Sequence, residues 1–90
     1  MTAQNTKMLP TPRAGSVEIA GIAWLARMTD KARLEAAGQI EALDLEYPCP
    51  MDQRLLSQLG IAGPKFQQLA VQAQSDDELV SLLKANGAKL

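Results

Sequence analysis

The arrangement of apolar and polar residues along the chain predicts mostly helix. After a polar, proline-containing start, apolar residues recur every three or four positions through most of the sequence. This spacing places them on one face of an α-helix. Residues that commonly begin or end helices separate these stretches. The pattern therefore predicts an all-α fold, a compact bundle of about four helices with an extended N-terminal arm and an extended connector.

The first predicted helix runs from Val17 to about Ala37, with Ser16 as its N-cap and Gly38 as its stop. On a helical projection this segment has two apolar sides, one of them rich in alanine. A helix that is apolar on two sides is usually buried between neighbours, so this helix should lie at the centre of the domain. The two sides consist of Val17, Trp24, Leu25, Met28 and Ala32, and of Ile19, Ala23, Ala26 and Ala37, with Leu34 near the edge.

Three further helices are predicted from local signals. Pro50 suits the first turn of the second helix, which Gly60 ends, and Pro64 begins the third. The capping box Ser75–Glu78 opens the fourth helix, which Asn86 and Gly87 end. The predicted core consists of Val17, Trp24, Leu25, Met28, Leu55, Leu56, Leu59, Phe66, Leu69, Leu79, Leu82 and Leu83.

The connector and the arm are less regular. Leu43, Leu45 and Tyr47 alternate with acidic residues, which favours an extended segment facing inward, although a helix continuing through Leu45 is an alternative. Residues 8–13 are predicted to form an ordered arm anchored by Met8 and Leu9, with a flexible tail as the alternative. The predicted organisation is a partly flexible arm at 1–15 and a single helical domain at 16–90.

Composition excludes several classes of function. The 90 residues include one cysteine and no histidine, and the net charge is −1. A disulfide within the chain is impossible, and neither a metal site nor a Ser-His-Asp or Cys-His centre is expected. The near-neutral charge does not favour a nucleic-acid partner or a membrane partner. A cytoplasmic protein with no metal, no cofactor and no catalytic residues is predicted.

Charged residues lie on the alanine-rich side of the first predicted helix. Asp30 is three residues from both Arg27 and Arg33, so either arginine could reach it. Because buried charges must be paired or solvated, a structural ion-pair network that fixes helix docking is one interpretation. A pocket for an anion or small ligand, and a solvated helix face, are the others.

Two blocks of sequence carry a family resemblance. The block Leu25–Arg33 reads Leu-Ala-Arg-Met-Thr-Asp-Lys-Ala-Arg, and the block Tyr47–Asp52 reads Tyr-Pro-Cys-Pro-Met-Asp. Together they resemble the DUF5069 family of small bacterial proteins, over roughly residues 10–83. The resemblance supports the fold boundaries and directs attention to these blocks, but it implies no substrate, because the family has no assigned function. Thr29 stands where the family pattern leads us to expect an aliphatic residue.

The two blocks supply the candidate ligand-binding residues. The first block is net basic, whereas residues 41–52 are acidic with no lysine or arginine. The acidic segment could neutralise the basic helix, or the two could form a cleft for a small anion. Cys49 stands just before a predicted helix start, where a thiolate is favoured, but a buried structural cysteine is the alternative. The candidates are Arg27, Asp30, Lys31, Arg33, Tyr47, Cys49 and Asp52.

These observations favour a small, soluble, non-catalytic interaction or regulatory module, with a homodimer or another protein as partner. The alternative is a protein that binds a small anion or metabolite through Arg27, Asp30, Lys31 and Arg33, which leaves enzymatic activity open. A third possibility rests on the turn Leu59–Lys65, which is similar to a helix-hairpin-helix DNA-binding turn with Ala62 inserted.

Overall fold

The computed structural model describes residues 11–90, which fold around one central helix. A short hairpin, β1 (Glu18–Ile19) and β2 (Ile22–Ala23), precedes helix α1 (Leu25–Ala36). A 3₁₀ turn at Glu41–Leu43 is followed by α2 (Pro50–Leu59), α3 (Gly63–Gln72) and α4 (Asp76–Ala85). The predicted helical fold is confirmed. The predicted anchors Met8 and Leu9 lie outside the described residues.

The predicted start of the first helix at Val17 is wrong. Residues 18–23 form an antiparallel hairpin in which Glu18 pairs with Ala23 and Ile19 with Ile22. Ala20 and Gly21 form its turn with φ values of 54° and 77°. A two-residue hairpin loop with positive φ at both positions matches the twist of the strands, and glycine adopts it without strain. Gly21 is therefore a turn residue of the hairpin.

Helix α1 begins only after Trp24, whose backbone is left-handed with φ of 76°. This conformation cannot continue a helix. The Trp24 N–H donates to the carbonyl of Gly15, and its own carbonyl accepts from the N–H of Met28. Val17 consequently lies ahead of the hairpin and is 40% exposed, so its predicted core position is wrong.

The core surrounds α1 and the inner faces of α2, α3 and α4. Most predicted core residues are buried, while Trp24 and Leu82 are only partly buried. Of the alanines on the predicted alanine-rich side, Ala26 of α1 is fully buried, but Ala23 and Ala37 lie outside α1 and are exposed. The buried apolar residues are Ile19, Leu25, Ala26, Met28, Ala32, Leu34, Ile40, Tyr47, Leu55, Leu56, Leu59, Phe66, Leu69, Ala70, Ala73, Leu79 and Leu83.

The local signals for the last three helices agree with the structure. Pro50 lies in the first turn of α2, and Gly60 ends that helix with φ of 74°. The hydroxyl of Ser75 accepts a 3.1 Å hydrogen bond from the N–H of Glu78, whose carboxylate accepts one from the N–H of Gln74. The prediction of an extended connector is wrong at Leu43, which ends the 3₁₀ turn, and no helix continues through Leu45. Tyr47 is buried, while Leu43 and Leu45 are half-buried. Among residues 11–90, no helix is both long and apolar enough to cross a bilayer.

Candidate functional site

A buried ion pair joins the two sequence blocks. Nζ of Lys31, on α1, lies 2.8 Å from Oδ2 of Asp52, in the first turn of α2. The two side chains are 3% and 0% exposed. Removing two charges from water is costly, and the cost is offset only when the geometry is good and the remaining polar atoms are bonded.

Two further donors complete the environment of Asp52. The indole N–H of Trp24 donates to Oδ1 at 2.7 Å, and the backbone N–H of Cys49 donates to Oδ2 at 3.0 Å. The carboxylate also lies at the N-terminal end of α2, where the helix dipole favours negative charge. Asp52 thus fixes α2 against both the start and the middle of α1. We call Trp24, Lys31, Cys49 and Asp52 the buried cluster.

The thiol of Cys49 belongs to the same cluster. Its Sγ lies 3.1 Å from Nζ of Lys31, and the residue is partly exposed. Pro50 follows it directly as the first residue of α2. The ammonium group of Lys31 therefore contacts a carboxylate on one side and a sulfur on the other.

Tyr47 lies beside this cluster but its hydroxyl is directed elsewhere. The hydroxyl donates a 2.8 Å hydrogen bond to the carbonyl of Gly63 at the start of α3. Burial, followed by the negative charge of Asp52, raises the pKa of Tyr47 above its ordinary value. The tyrosine is consequently a neutral hydrogen-bond donor that ties the connector to α3.

A second charged group includes Asp30, the residue next to Lys31 in α1. Arg13 donates from Nε to Oδ2 of Asp30 at 2.9 Å and from Nη1 to Oδ2 of Asp76 at 2.8 Å. Its backbone N–H also donates to Asp30. We call Arg13, Asp30 and Asp76 the Arg13 clamp, because it joins the N-terminal segment to α1 and to the start of α4.

Arg27 and Arg33 do not share Asp30 in the way that their spacing predicts. Arg27 donates to the carbonyl of Arg13 at 3.3 Å, and its guanidinium lies 5.5 Å from the ring centre of Trp24. Arg33 is 4.0 Å from Asp30 through Nη1, but its shorter bonds go to the carbonyls of Ala70 and Ala73 at the end of α3. Of the two arginines that could reach Asp30, Arg33 therefore does so at 4.0 Å and Arg27 has other partners, while Arg13 is the close partner of that carboxylate.

A groove of about 360 Å³ lies beside the Arg13 clamp. Asp30, Arg33 and Leu34 of α1 form one wall. The residues that line it are Thr11, Pro12, Asp30, Arg33, Leu34 and Gln39. Its polar groups are thus one acid, one base and neutral hydrogen-bonding side chains.

Comparison with known proteins places both blocks in one family. The model of the domain of unknown function DUF5069 matches residues 9–89. The chain belongs to the DUF5069 family. No curated protein and no solved structure gives a significant match.

In this DUF5069 chain the candidate residues separate into two groups. Lys31, Cys49 and Asp52 meet in the buried cluster with Tyr47 beside them, whereas Asp30 and Arg33 lie at the groove. Arg27 contacts neither Asp30 nor Asp52. Thr29 is fully buried, and its hydroxyl donates to the carbonyl of Leu25 at 2.7 Å, so a polar residue is accommodated at this DUF5069 position.

Sequence reasoning missed Arg13 and the polar role of Trp24. Arg13 contacts residues 17 and 63 positions away, separations for which no spacing rule exists. The proline before it is a signal only for an extended backbone. Within the DUF5069 residues that the structure describes, no group of three or more cysteine, aspartate and glutamate side chains could hold a metal ion.

Proposed function

We propose that this DUF5069 chain is a non-catalytic protein-interaction module of the cytoplasm, with a second copy of itself as the first partner to test. The observation that supports this proposal is the pairing of Lys31 with Asp52. In a ligand site the charge of Lys31 would bind the substrate, whereas here the carboxylate of Asp52 neutralises it.

The hydrogen bonds of the described residues support the same conclusion. Among residues 11–90, every buried side-chain nitrogen and oxygen has a hydrogen-bond partner. Active sites commonly hold polar groups whose bonds are completed only by substrate. The buried polar groups of this chain hold its own elements together.

Exposed apolar side chains offer contact surface for a partner. Val71 on α3 is 57% exposed, and Met51 on α2 is 43% exposed. A chain of this size buries a limited fraction of its surface when it folds, so association would add useful burial. Single exposed apolar residues are common, however, and each must be tested against a polar neighbour.

Light scattering coupled to size-exclusion chromatography, over a wide concentration range, tests self-association. In Val71→Glu a charge would replace an exposed apolar contact on α3, and Gln68→Glu adds the same charge at an exposed polar position of that helix. Met51→Glu and Gln53→Glu form a second matched pair on α2. A dimer that dissociates in one apolar variant but not in its polar control supports the proposal. A monomer that retains no partner from lysate counts against the interaction role.

The groove beside the Arg13 clamp favours a second candidate, the binding of a small anion or metabolite. Two nitrogens of Arg33 are bonded to carbonyls, while Nη1 makes the longer 4.0 Å contact with Asp30. That nitrogen is positioned to donate to a carboxylate or phosphate oxygen. A thermal-shift screen with inorganic phosphate and citrate, on the original chain and on Arg33→Lys, tests this role. Stabilisation lost in the lysine variant would support it.

A DNA-binding role for the turn Leu59–Lys65 stays a prediction. The turn contains the left-handed Gly60, and Gly63 opens α3 with its carbonyl bonded to Tyr47. Titration of a labelled DNA duplex at two salt concentrations would test it, because phosphate contacts make binding salt-dependent.

A further inference from the structure

The side chains of Lys31 and Cys49 lie close enough for a covalent bond to form between them after oxidation of the sulfur. Their Nζ and Sγ atoms are 3.1 Å apart, although the residues are 18 positions apart and belong to different elements. Lys31 is held there by Asp52 and is almost fully buried. We propose that hydrogen peroxide converts this contact into a reversible covalent sulfur–nitrogen bond, which makes Cys49 and Lys31 a redox modification site.

The first step is oxidation of the thiol. Cys49 is partly exposed, and the proposal requires that a small oxidant reach its sulfur. The sulfur gives an electron pair to one peroxide oxygen, the O–O bond breaks, and the products are a sulfenic acid and water. Oxidation of a thiol to a sulfenic acid is reversible, and the sulfenic acid condenses with a nearby thiol or nitrogen.

The sequence excludes two other groups that could condense with the sulfenic acid. The chain contains one cysteine, so no second thiol of the same molecule can form a disulfide. The backbone nitrogen after Cys49 belongs to Pro50 and carries no hydrogen, so the sulfenamide with that nitrogen cannot form. The amine of Lys31 is the nitrogen that the fold places against the sulfur.

The second step is condensation, for which Lys31 must be a neutral amine. Its proton passes to Oδ2 of Asp52, 2.8 Å away. The amine then attacks the sulfur, the S–N bond forms, and the S–O bond breaks. The hydroxyl group leaves with an amine proton as water. The sum is one thiol, one amine and one peroxide giving one sulfenamide and two waters.

The same cluster accommodates the product. Once Lys31 is a neutral sulfenamide, Asp52 holds its proton, so no unpaired charge remains buried. Trp24 and the backbone N–H of Cys49 continue to donate to that carboxyl group. The bond ties the middle of α1 to the start of α2. Two molecules of an added thiol reverse it, restoring the thiol and the amine and forming one disulfide of the reductant.

Mass spectrometry of the intact protein tests the proposal. After exposure of the folded protein to hydrogen peroxide, we expect a monomer that has lost the mass of two hydrogens and returns to its original mass with dithiothreitol. Trypsin does not cut after a modified lysine, so digestion without reductant should yield Met28–Arg33 joined to Leu34–Arg54. The same treatment in concentrated urea should not give this joined peptide, because the two atoms are then apart.

Two variants complete the experiment. Cys49→Ser should abolish the species. Lys31→Gln, whose folding is checked by circular dichroism, should stop at the sulfenic acid or proceed to the sulfinic acid. If Lys31→Gln does not fold, the comparison of peroxide treatment with and without urea tests whether the folded structure is required for the joined peptide. The proposal is overturned if the folded protein gives sulfinic acid, a disulfide-linked dimer, a bond to another lysine, or no reaction.

Discussion

The indole N–H of Trp24 lies 2.7 Å from Oδ1 of Asp52 and joins the first residue before α1 to the first turn of α2. With Lys31 and the backbone N–H of Cys49, it gives this carboxylate three donors. A carboxylate accepting several hydrogen bonds tolerates complete burial. The cluster is therefore the polar junction about which the two helices are positioned.

Loss of the negative charge at this junction should be strongly destabilising. Asp52→Asn keeps the shape of the side chain but leaves Lys31 buried without a counter-charge. We expect the free energy of unfolding to fall by about 3–5 kcal/mol, as for other broken buried pairs. Urea denaturation followed by circular dichroism measures it.

Two controls distinguish the charge from the position. Glu46→Gln, at an exposed site of the same acidic segment, should change stability by less than about 0.5 kcal/mol. The double variant Lys31→Met with Asp52→Asn should recover much of the loss, because no unpaired charge is then buried and the asparagine oxygen still accepts a hydrogen bond. An Asp52→Asn variant as stable as the Glu46→Gln control would contradict this interpretation.

The Arg13 clamp should contribute more to stability than Arg27 does. Arg13→Ala removes charge-assisted hydrogen bonds to Asp30 and Asp76, but these groups are 21% to 41% exposed, so we expect a loss of about 1 kcal/mol. Arg27→Ala removes one long hydrogen bond and a cation–π contact, for which we expect about 0.5 kcal/mol. Thermal and urea unfolding measure the loss of stability in both variants. A larger loss in Arg27→Ala than in Arg13→Ala would disprove this prediction.

The clamp should also give stability a dependence on acid pH. The hydrogen bond from Arg13 lowers the pKa of Asp76 below its ordinary 3.8, and this effect exceeds the opposing effect of burial. A lowered folded pKa stabilises the protein above the unfolded value near 4, and this stabilisation disappears as the pH falls through the folded value. Because Asp76 is partly exposed, the effect should be below about 1 kcal/mol.

The matched pair Asp76→Asn and Asp77→Asn tests this dependence. Both lie in the first turn of α4, and Asp77 is exposed. Urea unfolding between neutral pH and pH 3 should show a loss in Asp76→Asn that shrinks as the pH falls below 4, with a smaller loss in Asp77→Asn from the helix dipole. Equal losses at every pH would show that the bond to Arg13 is not responsible.

Tyr47 should resist ionisation while the protein is folded. Burial and then Asp52 raise its pKa above the ordinary 10.0, so stability contributed by the neutral form is complete below about pH 10 and is lost as the pH rises further. Tyr47 is the only tyrosine of the chain, so ultraviolet absorbance reports its ionisation directly. The midpoint should lie above 10 in the folded protein and return to the ordinary value in urea. A folded midpoint at 10 would contradict the burial of the hydroxyl.

The last three helices could be predicted because their signals are local. Pro50 and Gly60 bound one helix, and Ser75 caps another through a hydrogen bond to a residue three positions away. The hairpin before α1 could not be recognised in the same way. Its turn places Ala20 at positive φ, which alanine rarely adopts, and its apolar residues also fit a helical stripe.

The sequence predicted which residues belong to the candidate site but not which of them contact each other. Lys31 and Asp52 are both among the predicted residues, yet their pairing spans 21 residues and depends on how α1 and α2 pack. Sequence alone pairs Asp30 with its helical neighbours, because the spacing rule within a helix is the one that sequence provides. The arginine that binds it comes from outside the helix.

The contact between Arg13 and Asp76 joins residues 63 positions apart, which bears on the order of folding. Closing a loop of that length has an entropic cost that must be met before the contact stabilises anything. We therefore expect the clamp to be absent from the folding transition state, so that its loss speeds unfolding and leaves the refolding rate almost unchanged. An ion pair of modest strength would then lengthen the time that each molecule stays folded.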